Sequence, residues 1–303
     1  MEVLGLLIGQ IITMFLYMAV GYWLFKIGKL SQKGSGEMAS LLVWLVIPVV
    51  VIKSFCVEPT PEGIASLGVS TLAAAAALFL SVAVSRLLFG RRPLDHFAAA
   101  FSNAGFMGIP LVQAVFGQDR VFYVVSFIAI LNILQWTYGV SVITEKKSAF
   151  SLSGFCNPLV IGTLVGVFLF FTGLGARLPG ICIGTLSGLA SLNGPLAMMV
   201  LGVYVAQADF KTLWTDPALY KVSAARLLLI PALTIGILRL LSLETSMAKA
   251  LVIAAAAPVG ANAAVYAQIH GRDYVYASKT VVVSTLLSVI SMPLIVAGAM
   301  AVL

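Results

Sequence analysis

The sequence predicts an all-α polytopic membrane protein whose ten transmembrane helices form two inverted repeats of five. Three observations predict this architecture: a strongly apolar composition, long intervals without charge, and two interrupted helices at matching places. Of the 303 residues, 61% are hydrophobic and only 10% are charged, whereas soluble domains carry about 25% charged residues. A chain of this composition resides in a lipid bilayer.

Ten uncharged intervals mark the expected helices, because a transmembrane helix takes roughly 20 predominantly apolar residues. The second reaches full length only if Lys53 snorkels from its end, and the eighth only if Arg226 lies inside the helix. We expect Arg226 and Lys279 either to snorkel to the cytoplasmic headgroups or to attract an anionic substrate. Spans one to ten cover residues 3–25, 38–52, 63–85, 96–118, 121–144, 148–176, 178–208, 227–238, 250–271 and 280–303.

The loops on the two sides of these spans differ in positive charge. One side carries eleven Lys and Arg residues and the other carries five, and cytoplasmic loops retain positive charge. The first side is therefore predicted to be cytoplasmic, and both termini are predicted to lie on the outer side of the membrane. The net charge of +7 then follows from topology and implies no nucleic-acid partner. The first span lacks the basic n-region of a cleavable signal peptide and is expected to remain as a helix.

A short internal match indicates the repeat. The segment GQDRV (117–121) joins spans four and five, and GRDYV (271–275) joins spans nine and ten. Any tight turn between helices favours Gly and then Asp, so the residue match alone does not indicate a repeat. The repeat is indicated by the equivalent positions of Asp119 and Asp273, each between the fourth and fifth span of its half. Because five is odd, the second half lies upside down relative to the first, which is the plan of secondary transporters. The predicted boundaries are residues 1–143 for the first repeat, 144–157 for a cytoplasmic linker and 158–303 for the second repeat.

Spans four and nine contain residues that interrupt a helix. Span four holds SNAGFMGIP (102–110) and span nine holds AAAAPVGANAAVYA (254–267). Proline inside a helix costs about 3 kcal/mol or more, and irregular backbone persists in a membrane only where it is buried in protein or lines a cavity. One break alone would be an ordinary kink, but two breaks at matching places predict a site between them.

The predicted site favours an anion. Each second half-helix begins near a proline, Pro110 or Pro258, and presents unpaired N–H groups with about half a positive charge. Two such helix ends near the bilayer midplane attract negative charge. The carboxamides of Asn103 and Asn262 can donate or accept hydrogen bonds there.

Further amides lie close by in the sequence. Gln113 lies one turn beyond Pro110, and Asn132 and Gln135 share one face of span five. These side chains either line the cavity or form hydrogen bonds between helices. The freed carbonyls of Ala254 and Ala255 are candidate ligands for a cation. Three Gly-xxx-Gly pairs predict helix-packing faces without a substrate role: Gly5 and Gly9, Gly162 and Gly166, and Gly184 and Gly188.

The sequence lacks the motifs of the main alternatives. It contains no H-E-x-x-H helix, no intramembrane Ser–His pair and no Walker A segment, so neither an enzyme nor ATP coupling is expected. No Asp or Glu lies deep inside a span, and no cofactor or metal is expected. An anion channel, with rings of charge or carbonyls around a pore, and a sodium-coupled organic anion symporter remain alternatives.

The two broken helices carry a family resemblance. NAGFMGIPL (103–111) followed by AAPVGANAAVYAQ (256–268) resembles the auxin efflux carrier family of membrane transport proteins, which includes the plant PIN-FORMED auxin carriers. The resemblance implies a fold similar to the sodium/proton antiporters, with spans four and nine crossing. It places Asn103, Gly105, Gly108, Pro110, Pro258 and Asn262 at the crossing.

The resemblance also implies a mechanism. A scaffold of spans one, two, six and seven would hold a transporter domain of spans three to five and eight to ten, which moves by elevator-type alternating access. The protein would be a homodimeric efflux carrier for small organic anions, such as auxin-like or dicarboxylic acids. The plant carriers have a long cytoplasmic loop where this chain has a short linker, so their regulation by phosphorylation is not expected here.

Overall fold

The computed structural model describes residues 2–117, 120–145, 158–208, 213 and 215–303. Most of these residues are helical, and twelve helices form the framework of the fold. In chain order they are α1 (Glu2–Lys26), α2 (Gln32–Ser54), α3 (Pro61–Phe89), α4 (Pro93–Ala100), α5 (Ala104–Phe116), α6 (Val121–Thr144), α7 (Pro158–Phe171), α8 (Gly180–Gln207), α9 (Pro217–Leu240), α10 (Thr245–Ala256), α11 (Asn262–Ile269) and α12 (Tyr274–Val302).

Seven helices in the described part of the chain are long and apolar enough to cross a membrane, namely α1, α2, α3, α6, α8, α9 and α12. Helices α5, α7 and α10 are apolar but shorter, and α4 and α11 have eight residues each. Large apolar side chains point away from the protein, as shown by Leu72, which is 74% exposed, and Ile290, which is 66% exposed. The chain is a polytopic membrane protein.

The two spans with the least support in the sequence are longer than predicted. Helix α2 begins at Gln32 rather than at residue 38, and the Ser31 hydroxyl accepts a hydrogen bond from the Gly34 amide at its start. Helix α9 begins at Pro217 rather than at residue 227, and Asp216 caps it. The predicted starts followed Glu37 and Arg226, which lie inside α2 and α9, so intervals free of charge underestimate the length of both helices.

Three helices contain a wide π turn that ends just before an Ile-Pro pair. The proline ring has no N–H and clashes with the carbonyl four residues earlier, and a widened turn relieves that clash without ending the helix. The π turns are Leu42–Val46 before Pro48, Ala104–Gly108 before Pro110, and Ala225–Leu229 before Pro231.

Glycines allow α1 and α8 to pack with their backbones in contact. A methyl group added at Gly202 would collide with the carbonyl oxygen of Met18 and lie 2.8 Å from the Tyr22 nitrogen. A methyl group at Gly21 would collide with Met199 in the same way. Close backbone approach at small residues is the usual basis of tight helix packing in membranes.

One of the three predicted Gly-xxx-Gly packing faces is confirmed. In α7, a methyl group at Gly162 would lie 3.0 Å from Pro48 of α2, and one at Gly166 would lie 2.5 Å from the Phe55 ring. Methyl groups at Gly5, Gly9, Gly184 and Gly188 would meet nothing within 4 Å. Those two predictions are wrong for contacts within the described chain, because a Gly-xxx-Gly pair does not specify which face of its helix turns inward.

Ion pairs connect loops at the two ends of α6. Near its first residue, Arg120 lies 3.4 Å from Glu244, in the loop between α9 and α10. Just after its last residue, Glu145 lies 2.5 Å from Arg272, in the loop between α11 and α12. Each pair joins two loops for which the alternation of spans predicts the same side of the membrane.

The glycines of the two turns that suggested a repeat both have a positive φ angle. These angles are 87° for Gly117 and 64° for Gly271, which glycine adopts without strain. Asp273 caps α12 by accepting a hydrogen bond of 2.9 Å from the Tyr276 amide. Asp119 and residues 146–157 of the predicted linker lie outside the described residues.

Candidate functional site

The two predicted helix breaks are present and are paired with each other. Helix α4 ends at Ala100 before α5 begins, and α10 ends at Ala256 before α11 begins. Between the two breaks, the backbone N–H of Asn103 donates a hydrogen bond of 2.7 Å to the Pro258 carbonyl. The Gly260 amide donates one of 3.0 Å to the Phe101 carbonyl. These bonds form a short antiparallel bridge that satisfies backbone groups which hydrocarbon would leave unpaired.

Serine hydroxyls extend this pairing. Ser102 Oγ donates to the Ala254 carbonyl over 3.0 Å, and Ser284 Oγ of α12 accepts from the Val259 amide over 3.2 Å. A methyl group at Gly260 would lie 3.2 Å from the Ser102 carbonyl oxygen, so glycine is what permits the two backbones to approach here. Neither serine was predicted from the sequence, because serine is common in membrane helices and carries little signal by itself.

Asn103 presents a buried donor without a partner. Its side chain is 5% exposed, and Nδ2 forms no hydrogen bond with any described residue. The backbone carbonyl of Asn103 accepts hydrogen bonds from the Met107 and Gly108 backbone amides in α5. The N–H groups that precede these two have no acceptor within the helix, as at the start of any helix. Unpaired donors therefore gather at this helix start, where leaving a buried donor unsatisfied costs about 1–3 kcal/mol.

Gln135 reaches the second break. Its Oε1 accepts a hydrogen bond of 2.9 Å from Nδ2 of Asn262, the first residue of α11, and Gln135 is 1% exposed. Gln135 starts a π turn, Gln135–Gly139, in the middle of α6. Asn132, predicted on the same face, instead donates to the Ile128 carbonyl of its own helix over 2.8 Å. The structure thus brings Gln135 to the breaks but not the Asn132 amide.

Two further predicted residues lie along α5. Gly108 packs against α10, where a methyl group added to it would touch Ala254 Cα at 3.4 Å. Gln113 is half-buried, one turn beyond Pro110. Gly108 therefore serves close packing of α5 on α10, beside the paired breaks.

The other face of α5 meets α8. Asn193 Nδ2 donates a hydrogen bond of 3.0 Å to the Gly105 carbonyl, and the Pro110 ring lies 3.5 Å from the position of a methyl group at Gly194. Asn193 is 1% exposed and was not predicted. The segment LNGPL around it combines an amide, a glycine and a proline inside an apolar span, which is the same signal that identified the two breaks.

Arg226 is buried beside the breaks, so the prediction that it snorkels to the headgroups is wrong. It is 1% exposed, and its Nη1 atom donates to the carbonyls of Ala99 and Ala100, over 3.1 and 3.2 Å, and to Ser81 Oγ over 3.1 Å. Its Nη2 atom donates to the Ala255 carbonyl. A charge at the centre of a bilayer costs about 2.5–3.5 kcal/mol or more, and these oxygens offset that cost. The partners of Arg226 come from three other helices, so its sequence position alone did not predict its burial.

A cavity of about 320 Å³ opens beside α11. The end of α8, the outer face of α11 and the first turns of α12 line it, and among the lining residues that the structure describes none is acidic. Lys279 contributes a positive charge, and no described carboxylate lies within 4.0 Å of its Nζ atom. None of the nine predicted site residues lines the cavity. The polar side chains around it are Gln32, Tyr204, Gln207, Gln268, Tyr274, Ser278 and Lys279.

The polar groups at the breaks are amides, hydroxyls, backbone carbonyls and one guanidinium. Among the described residues, no three His, Cys, Asp or Glu side chains are close enough together to hold a metal ion. The arrangement can therefore donate hydrogen bonds to an anionic or strongly polar ligand, and it offers no nucleophile paired with a base.

Comparison with known proteins agrees with this architecture. A family model described as "Membrane transport protein" matches residues 6–153 and 146–296. An "Uncharacterized transporter" of Methanothermobacter thermautotrophicus is 27% identical over 299 residues, covering 94% of this chain and 95% of the relative. A "Putative malonate transporter" of Rhizobium meliloti is 22% identical over 298 residues, covering 93% of this chain and 92% of the relative. These matches confirm the resemblance seen in the broken helices, and the chain belongs to the membrane transport protein family that contains the auxin efflux carriers.

Proposed function

We propose that this protein is a secondary transporter that carries small organic anions across the cytoplasmic membrane and binds them at the paired breaks of its fourth and ninth spans. The observation that carries the proposal is the buried, unpartnered Nδ2 donor of Asn103 at the start of α5. A transporter that alternates between occupied and empty states has a reason to keep such a donor, because the ligand satisfies it during each cycle.

Helix ends add to the attraction for an anion. The N-terminal ends of α5 and α11 each carry about half a positive charge, and each lies directly after one of the paired breaks. Asn262 begins α11, with its amide held by Gln135. A carboxylate near these residues would accept hydrogen bonds from Asn103 and from the first N–H groups of the two helices.

The cavity beside α11 suits an entrance for such a ligand. Its volume of about 320 Å³ lies at the lower end of the range of roughly 300–1,000 Å³ for small-molecule sites. Lys279 supplies positive charge at its wall, which supports the earlier alternative that this lysine attracts an anionic substrate from the cytoplasm. The cavity reaches α11 but not Asn103, so substrate transfer between them requires a conformational change.

We infer an elevator-type alternation from how the helices pack. Helices α1, α2, α7 and α8 would form the scaffold, since α1 packs on α8 and α2 packs on α7 through glycines. The remaining helices, which represent three spans from each inverted five-span repeat (residues 1–143 and 158–303, with 144–157 between them), would form the transporter domain. The contact of Asn193 and Gly194 with α5 would then lie between the scaffold and the transporter domain, where the two slide past each other.

The class of substrate follows from the site and from one relative. Hydrogen-bond donors at two helix ends suit a carboxylate, and the Rhizobium meliloti relative is named for malonate. Small dicarboxylates and auxin-like monocarboxylates are the candidates. We infer export as the direction, both termini outside the cell, and a homodimer in the membrane, in keeping with the family resemblance.

The test is uptake of labelled malonate, malate and indole-3-acetate into liposomes that contain the purified protein. We expect saturable flux for at least one acid, and at least a tenfold loss of that flux in Asn103→Ala. The melting temperature of Asn103→Ala should be unchanged or higher, because the variant removes a donor that has no partner in the protein.

Gln10→Ala is the matched control, since Gln10 is a half-buried amide of α1 remote from the breaks in the sequence. It should transport at the wild-type rate. Normal flux in Asn103→Ala would place the site elsewhere, flux that never saturates would favour a channel, and the absence of flux for all three acids would contradict the proposed substrate class.

A further inference from the structure

The environment of Arg226 resembles the coordination sphere of a metal cation more than an ordinary ion pair. Its two terminal nitrogens contact four oxygen atoms, three of them backbone carbonyls and one a serine hydroxyl. No described carboxylate lies within 4.0 Å of the guanidinium. In transporters with interrupted helices, carbonyls at the ends of half-helices coordinate Na⁺.

The three carbonyl oxygens come from the C-terminal helix ends at the two breaks, and the hydroxyl comes from Ser81 of α3. Ala99 and Ala100 are the last residues of α4, and Ala255 is in the last turn of α10. Each helix end carries about half a negative charge, so the two together balance about one positive charge. The guanidinium supplies that charge from α9, a third helix that is part of neither break.

The carbonyls of Ala254 and Ala255, the candidate cation ligands, already accept hydrogen bonds. Ser102 Oγ donates to the Ala254 carbonyl, and Arg226 donates to the Ala255 carbonyl. A metal ion would have to displace a hydroxyl and a guanidinium to use both. The position of a coupling ion is thus filled by a side chain that the transport cycle cannot release.

We propose that Arg226 fills an oxygen-lined site for a monovalent cation at the paired breaks, and that its removal makes the fold and the transport cycle depend on a cation added from solution. The part that concerns transport rests on the proposed function above. The part that concerns the stability of the breaks is independent of the proposed function, because the guanidinium contacts both α4 and α10 whichever substrate is carried.

The first experiment measures thermal unfolding of the wild type, Arg226→Ala and Arg239→Ala in choline, sodium and guanidinium salts of equal ionic strength, with guanidinium kept at millimolar concentrations. Arg239 lies on the same helix but is exposed near its far end and donates to the Val302 carbonyl. We expect the melting temperature of Arg226→Ala to fall in choline and to recover in guanidinium or sodium. Wild type and Arg239→Ala should show no response specific to a cation.

The second experiment repeats the flux measurements in the same salts. Wild-type flux should be equal in sodium and choline, whereas Arg226→Ala should lose at least tenfold in choline and regain flux with guanidinium. Arg226→Lys, which keeps a charge but has one nitrogen in place of the two that contact oxygens, should retain more flux in choline than Arg226→Ala.

Three results would overturn the proposal. One is a wild-type protein that sodium stabilises or that needs sodium for flux, and another is an Arg226→Ala variant that is as stable and active in choline as the wild type. The third is an Arg226→Ala variant that folds but responds to no added cation. If Arg226→Ala does not fold in any salt, the sodium response of the wild type decides the question. The unfolding measurements stand even if no acid is transported, so failure here is distinguishable from failure of the proposed substrate class.

Discussion

Removing the Asn262 amide should destabilise the second break by a measurable amount. In Asn262→Ala, Oε1 of Gln135 loses its partner at 2.9 Å, and because Gln135 is only 1% exposed, water does not replace it. A buried acceptor left unsatisfied costs about 1–3 kcal/mol, which is a roughly 5- to 150-fold change in an equilibrium constant. The apparent free energy of unfolding in detergent micelles should therefore fall by about that amount.

A double-mutant cycle separates this bond from other effects of the substitution. Asn262→Ala with Gln135→Leu removes both partners, which is often nearly neutral, so the double variant should be more stable than the two single changes predict. Groups in direct contact typically show coupling of about 0.5–3 kcal/mol. Additive free energies of unfolding would refute the reasoning, because the observed bond would then contribute nothing specific to the fold.

A second pair on α6 provides the control. Thr71 Oγ1 of α3 and Ser126 Oγ of α6 lie 2.7 Å apart, so a cycle of Thr71→Val and Ser126→Ala should also show coupling in stability. The flux assay should distinguish the pairs: Asn262→Ala should lose transport, while Thr71→Val should keep it. Equal loss in both would show that flux reports only the stability of the helix bundle.

Three other expectations can be tested with the same preparations. Gly202→Ala should lower the melting temperature, since overpacking typically costs about 1–3 kcal/mol. Gly9→Ala should leave it unchanged or raise it, because the added methyl group meets nothing within 4 Å. Equal melting temperatures of the two variants would contradict the packing of α1 on α8. Lys279→Gln should raise the KM for a dicarboxylate more than it lowers the maximal rate, with a larger effect at low ionic strength, and an unchanged KM would remove Lys279 from the entrance. Burial raises the pKa of Glu244, but hydrogen bonds from Ser246 and Tyr123 and the charge of Arg120 outweigh it and hold the pKa below the ordinary value of 4.5. A lowered pKa stabilises the folded state above the unfolded value and loses that effect as the pH falls through the folded value, so Glu244→Gln should reduce stability at pH 7 and make no difference in strong acid; a loss that is equal at both pH values would exclude this ionisation as its cause.

Much of the fold was predictable because its signals are local. Length and hydropathy are properties of a single helix, and a cluster of asparagine, glycine and proline interrupts a helix wherever that helix packs. The break at 257–261 contains Pro258 and Gly260, whereas the break at 101–103 precedes Pro110, which lies inside α5 after a π turn. The starts of α2 and α9 were missed because each helix holds a charge beyond its first turn: Glu37 is exposed and pairs with Lys33, and Arg226 is buried against carbonyl oxygens.

The sequence alone determined the lipid environment, the approximate helix positions, the two breaks and the amides beside them. Only the tertiary structure decided which polar groups meet. Asn262 binds Gln135, and Arg226 lies against the ends of α4 and α10 instead of at the membrane surface. The physical reason is that a polar group surrounded by hydrocarbon must find its partner within the protein. That partner lies on another helix, far away in the chain, and neither periodicity nor composition specifies which helix faces it.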